Sequence, residues 1–152
     1  MRVSALRGFP EFFTSASGTK IMATHPRTRV DGIFMGVPTI DVLDWTCTFE
    51  PQPNISAVPI YIPVSDDRLF ALDIGKFEVL RKPERSGQPW VWQKLTSPPF
   101  QIWDVSSYGV QPDGCILVST KISVTFIFDT KEYVWKRYGD WVFPFTGRGW
   151  TL

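Results

Sequence analysis

The sequence predicts an all-β protein, an incomplete β-propeller-like array of about three antiparallel blade-like units. Three observations lead there. Aromatic residues make up 15% of the chain, with seven Trp and twelve Phe, and such side chains suit pleated, half-buried surfaces. Thirteen Pro and eleven Gly are spread so that no stretch of helical length also keeps a helical apolar period. Short apolar runs bounded by turn residues recur as units of about 40–55 residues, a period that suits propeller blades and kelch-like repeats.

The chain divides into a single domain, 1–152, with units at 14–57, 58–107 and 108–152 and a leading segment, 1–13, outside them. In that leader and just beyond it, Arg2, Arg7 and Lys20 with Ser4, Ser15 and Ser17 carry weak features of an organelle transit peptide. Pro10 and Glu11 spoil the basic amphipathic helix that such a peptide needs. An intracellular location, cytoplasmic or nuclear, is therefore expected, with a mitochondrial one as the alternative.

In the first unit, residues 18–24 run from glycine through an apolar strand to Thr24, and residues 39–44 form a strand ending in Asp44. The second unit opens on Ile60-Tyr61-Ile62, turns at Asp66-Asp67, and continues in a strand from Arg68 to Asp73. Its partner strand is expected at residues 90–95, across an elongated charged loop at 81–88 with Pro83 and Gly87 in it. Pro98-Pro99-Phe100 closes the unit, and residues 101–111 read as a variable connection.

The third unit is the clearest. Asp113-Gly114 opens an apolar run ending at Thr120. Residues 123–128 alternate, with Val124, Phe126 and Phe128 on one face. Residues 129–132 make a polar turn, residues 133–138 return as a strand, and Gly139-Asp140 breaks it before Trp141-Val142-Phe143-Pro144. Asp129 thus matches Asp73, Trp135 matches Trp92, and Pro144 matches Pro99. The offsets are unequal: 56 residues for the aspartates and 45 for the prolines. Residues that recur in each unit are read as structural, the aspartates as turn formers and the tryptophans as core.

Thr125-Phe126-Ile127-Phe128-Asp129-Thr130, Val134-Trp135, Gly139-Asp140-Trp141 and Pro144-Phe145-Thr146-Gly147-Arg148-Gly149 together resemble a signature of kelch-like proteins of unknown function expanded in the grasses, relatives of F-box-associated propellers. Leu69-Phe70-Ala71-Leu72-Asp73 and Trp90-Val91-Trp92 fit the same resemblance, which covers the chain from about residue 14. It implies a propeller-like fold and supplies no catalytic residue. The chain departs from the pattern in having Asp113-Gly114 where kelch repeats carry paired glycines, and it resembles only part of a longer member.

Charge and chemistry narrow the function further. Sixteen basic against fifteen acidic residues give a formal charge of +1, without the basic stripe that a phosphate backbone calls for, so no nucleic-acid partner is expected. No run reaches the ~18 apolar residues of a membrane span. Cys47 and Cys115 lie far apart, outside any metal-ligand spacing, and suit a reduced intracellular pair. The sequon at Asn54-Ile55-Ser56 reads as a chance match. His25 at a strand end and Gly147-Arg148-Gly149 without a following helix suggest neither a triad nor a phosphate loop.

The expected function is a protein-protein interaction module without catalytic site, cofactor or metal. Arg81, Lys82, Arg85 and Trp103 are its candidate partner contacts, on loops that a repeat scaffold displays. Trp45, Trp103 and Trp150 have no repeat-matched partner; core packing is the readier expectation for them, and one of them on an exposed loop would serve as an interface anchor. Self-association is expected too, because three units leave bare outer faces and strand edges. The alternatives are a small-ligand or carbohydrate binder using exposed aromatics, and a diverged propeller fragment.

Overall fold

The computed structural model describes residues 12–17, 19–24, 37–50, 59–65, 68–81, 84–85, 88 and 91–149. Residues 1–11, His25, the sequon, Asp66-Asp67, Lys82 and Trp150 lie outside them. The fold is all-β, in three sheets, none of them closed. The first sheet holds β1 (Phe12–Ser17), β2 (Lys20–Thr24), β3 (Val37–Asp41) and β4 (Cys47–Glu50), paired in chain order. The second holds β5 (Ile60–Ser65), β6 (Arg68–Asp73), β7 (Lys76–Arg81) and β8 (Val91–Lys94), again in chain order. The third holds β9 (Val105–Val110), β10 (Ile116–Thr120), β11 (Thr125–Asp129) and β12 (Val134–Gly139), with β13 (Gly147–Arg148) added beside β9. Every neighbouring pair is antiparallel except β13 with β9, which is parallel.

The second and third sheets pack face to face. Ile62, Phe70, Leu72, Phe77 and Val79 from one meet Ile116, Val118 and Phe128 from the other, and Leu95 and Phe100 close the gap. The rings interlock: Phe77 and Phe128 sit edge to face at 4.8 Å, and Trp135 touches Phe77, Phe100 and Phe128 at 5.1, 5.2 and 4.9 Å. Such aromatic pairs add about 0.5–1.5 kcal/mol each beyond area burial. Because strand side chains alternate, the second sheet's other face carries Tyr61, Leu69, Ala71 and Leu80, packed with Trp92. On that sheet lies β1, against β5 and β6. Trp92 and Trp135, expected in the core from their repetition, are partly buried, each packed against the flank of a core cluster.

The meander is continued by a strap. After β12, residues 140–146 cross the outer face of the third sheet and deliver β13 to the far edge. Four strand spacings of about 4.8 Å come to ~19 Å, within reach of seven extended residues at ~3.3 Å each. One hydrogen-bonded chain holds the strap down. The Phe143 N–H donates to Ser119 Oγ at 3.3 Å, Ser119 and Thr125 hydroxyls meet at 2.7 Å, and Thr125 Oγ1 donates to the Trp141 carbonyl at 2.6 Å. Trp141, Phe143 and Phe145 follow one another in ring contact over this face. Gly139 has a structural reason to be glycine, since a Cβ there would run into the Trp141 indole.

Four expectations need correction. Residues 76–81 form β7, and the strand at 91–94 pairs with β7, not with β6. Consequently Asp73 ends the second strand of its sheet and Asp129 the third of its own, so the two are not equivalent. Residues 101–111 are not a variable connection: they hold a 3₁₀ turn (Ile102–Asp104) and β9. The strand expected at 39–44 stops at Asp41, whose carboxylate accepts the Leu43 N–H at 3.0 Å and pulls the chain out of the ladder.

Candidate functional site

The second and third sheets are locked at one end. There the Arg68 guanidinium donates to the Thr130 carbonyl at 3.1 Å, and Arg81 rests its guanidinium 4.9 Å from the centroid of the Tyr133 ring. Thr130 in turn donates to the Gly114 carbonyl at 3.1 Å. Asp129 shapes the turn between β11 and β12 by accepting the Lys131 and Glu132 N–H groups at 2.9 and 3.1 Å. Those bonds, with Lys136 beside them, hold its carboxyl below the ordinary value of 3.8. Of the predicted contacts, Arg81 and Arg85 lie at this end, both exposed, with Arg81 engaged on Tyr133.

Trp103 stands at the opposite end of the third sheet. It rides on the 3₁₀ turn before β9, which is pinned by the Lys121 N–H donating to the Asp104 carbonyl at 2.8 Å. Its side chain is 58% exposed. The sheet order β12-β11-β10-β9 spreads further apolar groups across the same end: Tyr138, Trp141 and Val142 at the end of β12, and Ile122, 70% exposed, in the turn from β10 to β11. The four predicted contacts are thus not brought together; Lys82 lies outside the described residues, and Trp103 belongs to a different surface from the arginines. The sequence singled out Trp103 by its lack of a repeat partner, and missed Ile122 and Val142, which turn geometry alone exposes.

Two other features stand out. The turn from β3 to β4 lifts Leu43 and Trp45 into solvent, 77% and 64% exposed. Two aspartates stiffen it: Asp41 also accepts the Thr19 hydroxyl at 2.8 Å, and Asp44 accepts the Thr46 N–H and hydroxyl at 2.9 and 2.7 Å. Trp45 itself has a φ of 59°, a left-handed conformation that a bulky residue rarely adopts. The second feature is a cleft of about 190 Å³ between β5 and β9, walled by Ile62, Pro63, Val64, Tyr108 and Val110, with Arg148 at its edge. Burial pushes the Tyr108 hydroxyl above its ordinary 10.0, against the pull of Arg148. Pockets for cofactors run to roughly 300–1,000 Å³, so this cleft has the size for one ring and little more.

A match to the family described as a protein of unknown function (DUF1668) extends over residues 5–150. The chain belongs to the DUF1668 family. No curated protein matches it. For this DUF1668 chain the described residues hold no group of three His, Cys, Asp or Glu placed to bind a metal, and Cys47 and Cys115 are free thiols. Among the described residues no helix is long and apolar enough to cross a membrane.

Proposed function

We propose that this chain is a non-catalytic protein-interaction module, an open array of propeller-like blades that offers one end of its third sheet to another protein. The observation that carries the reading is the row of Trp103, Ile122, Tyr138, Trp141 and Val142, exposed together on short, hydrogen-bonded segments. Aromatic anchors on a pre-ordered support are the residues that dominate protein interfaces, because little freedom remains to be lost on binding. The aliphatic members Ile122 and Val142 favour packing against protein over stacking on a sugar. The blade arrangement is supported by sequential four-stranded meanders stacked face to face, which is what the kelch-like resemblance implies. Two free thiols support an intracellular setting.

Photo-crosslinking tests the assignment. A photoreactive residue placed at Trp103 is expected to trap a discrete second protein in cell extract, and the same group at Arg85 is not. The reading fails if a folded Trp103→Ala, Ile122→Ser double variant keeps the same partners at unchanged affinity.

A further inference from the structure

The strap and the sheet beneath it are held with very different firmness. β10 is buried along its whole length and pairs in register with β11. Of residues 140–148, only Phe143 is buried; Phe145 is half-buried and the others are exposed or nearly so. β13 meets β9 over two residues. The Phe143 N–H reaches Ser119 Oγ at 3.3 Å, longer than the usual range of about 2.7–3.2 Å. Little buried apolar surface and a short ladder are the marks of a segment that opens without the rest of its domain.

The face under the strap is suited to being uncovered. Thr125 commits its one hydroxyl proton to the Trp141 carbonyl, so Ser119 donates to Thr125 and accepts from Phe143. Both hydroxyls can exchange these partners for water when the strap lifts. Ser107 stands opposite Ser119 in the β9–β10 ladder and so shares its face. It has no exposed surface, and its Oγ makes no hydrogen bond within the protein. A buried hydroxyl without a partner destabilises the state that buries it, and regains a bond on meeting water. We infer that the strap is a releasable cover: residues 140–149 lift from the third sheet as one unit while β9 to β12 stay paired, and Ser107 biases the equilibrium toward release. Trp141 and Val142 stand on the strap, and Arg148 and Gly149 line the β5–β9 cleft, so one motion dismantles both surfaces. Its bearing on the Trp103 row rests on the function proposed above; the motion itself does not.

Amide hydrogen exchange of the full chain, followed residue by residue by NMR, is the test, and it needs no partner. The Phe143 and Gly149 amides mark the two ends of the strap, bonded to Ser119 Oγ and to the Tyr108 carbonyl. Both are expected to show matching protection and to open roughly a hundredfold more often than the β10–β11 ladder. Phe145→Ala removes a ring stacked on Phe143 within the strap. It should speed both strap amides about tenfold and leave the ladder unchanged. Ser107→Ala decides the sign: freed of its unpaired hydroxyl, the closed state should gain, and both strap amides should slow about tenfold. A Ser107→Ala chain whose strap amides exchange at the same rate or faster overturns the inference, because the hydroxyl then does nothing or holds the strap down. So do strap amides that open only together with the ladder, two strap ends that exchange independently, or a Phe145→Ala effect shared equally by strap and ladder.

Discussion

The second and third sheets solve the same burial problem in different ways. The second meets the third sheet on one face and has β1 lying against its β5 and β6, and its residues are apolar on both faces: Phe70, Leu72, Phe77 and Val79 toward one side, Tyr61, Leu69, Ala71 and Leu80 toward the other. The third has a sheet on its inner face only. Its outer face is built of Ser107, Gly109, Leu117, Ser119 and Thr125, all buried, beneath a strap of the chain's own making. Small hydroxyl residues let a backbone lie close and give it hydrogen-bond partners, where large apolar side chains would hold it away. A sheet at the end of a stack can thus be finished by peptide rather than by another sheet, and the bare face expected there from sequence is largely occupied.

The inter-sheet core sets the largest expected effect. Phe77→Ala or Phe128→Ala removes a ring with no exposed surface from the contact between the two sheets, at about 3–5 kcal/mol. At roughly 2–4 °C per kcal/mol for a chain of this size, thermal melting should fall by about 10 °C. Next, Leu80→Ala and Leu117→Ala compare the two kinds of cover directly, because both side chains are fully buried. Each should cost about 2–5 kcal/mol in chemical denaturation. A Leu117→Ala cost well under 1 kcal/mol would mean that the strap covers its sheet only loosely.

The hydrogen-bonded chain under the strap comes next in size. Thr125→Val leaves the Trp141 carbonyl without its donor and the Ser119 hydroxyl without its acceptor, for about 1–3 kcal/mol. Thr125→Ser, which keeps the hydroxyl, should recover most of that. The smallest effect is one of pH. Asp129 has its folded-state pKa depressed by the N–H groups of Glu132 and Lys131, so its stabilisation is present above the unfolded value near about 4 and is lost as pH falls through the lower folded value. Melting curves of Asp129→Ala and wild type, separated at pH 7, should converge in that acid range. A gap that persists unchanged there would assign the effect to turn geometry alone.

How much of this could be read from residues follows the same contrast. In the third sheet β10, β11 and β12 were legible because apolar runs are punctuated by Asp113-Gly114, by the polar turn at 129–132 and by Gly139-Asp140. β7 was not, although Lys76–Val79 alternates charged with apolar side chains as a strand does, because it runs straight into the basic residues of the loop with no turn residue to end it, and Glu78 is buried with the rest. The unequal offsets of 56 and 45 residues already carried the missing strand: matching Asp73 to Asp129 skipped one element. β9 was hidden for a different reason. Its Ser107 and Gly109 look like loop residues, and only the strap above them explains why a strand needs them small. For the candidate surfaces, core packing was the readier expectation for the unmatched tryptophans, yet Trp45 and Trp103 are both exposed, and no local signal told which end of which sheet each would occupy. That information lies in strand order, which apolar periodicity does not encode.

β6 shows what two-sided burial demands of a chain before it folds. Leu69, Phe70, Ala71 and Leu72 have no solvent-facing member, so the segment is apolar throughout and carries neither charge nor proline within it. A newly made or unfolded copy would stick there to its like, as cross-β segments do. Arg68 on one side and Asp73 on the other bracket the run with opposite charges, placed as gatekeepers against stacking. Neutralising both should sharply lower how far the chain can be concentrated while refolding, on top of the loss of the Arg68 bond to the Thr130 carbonyl.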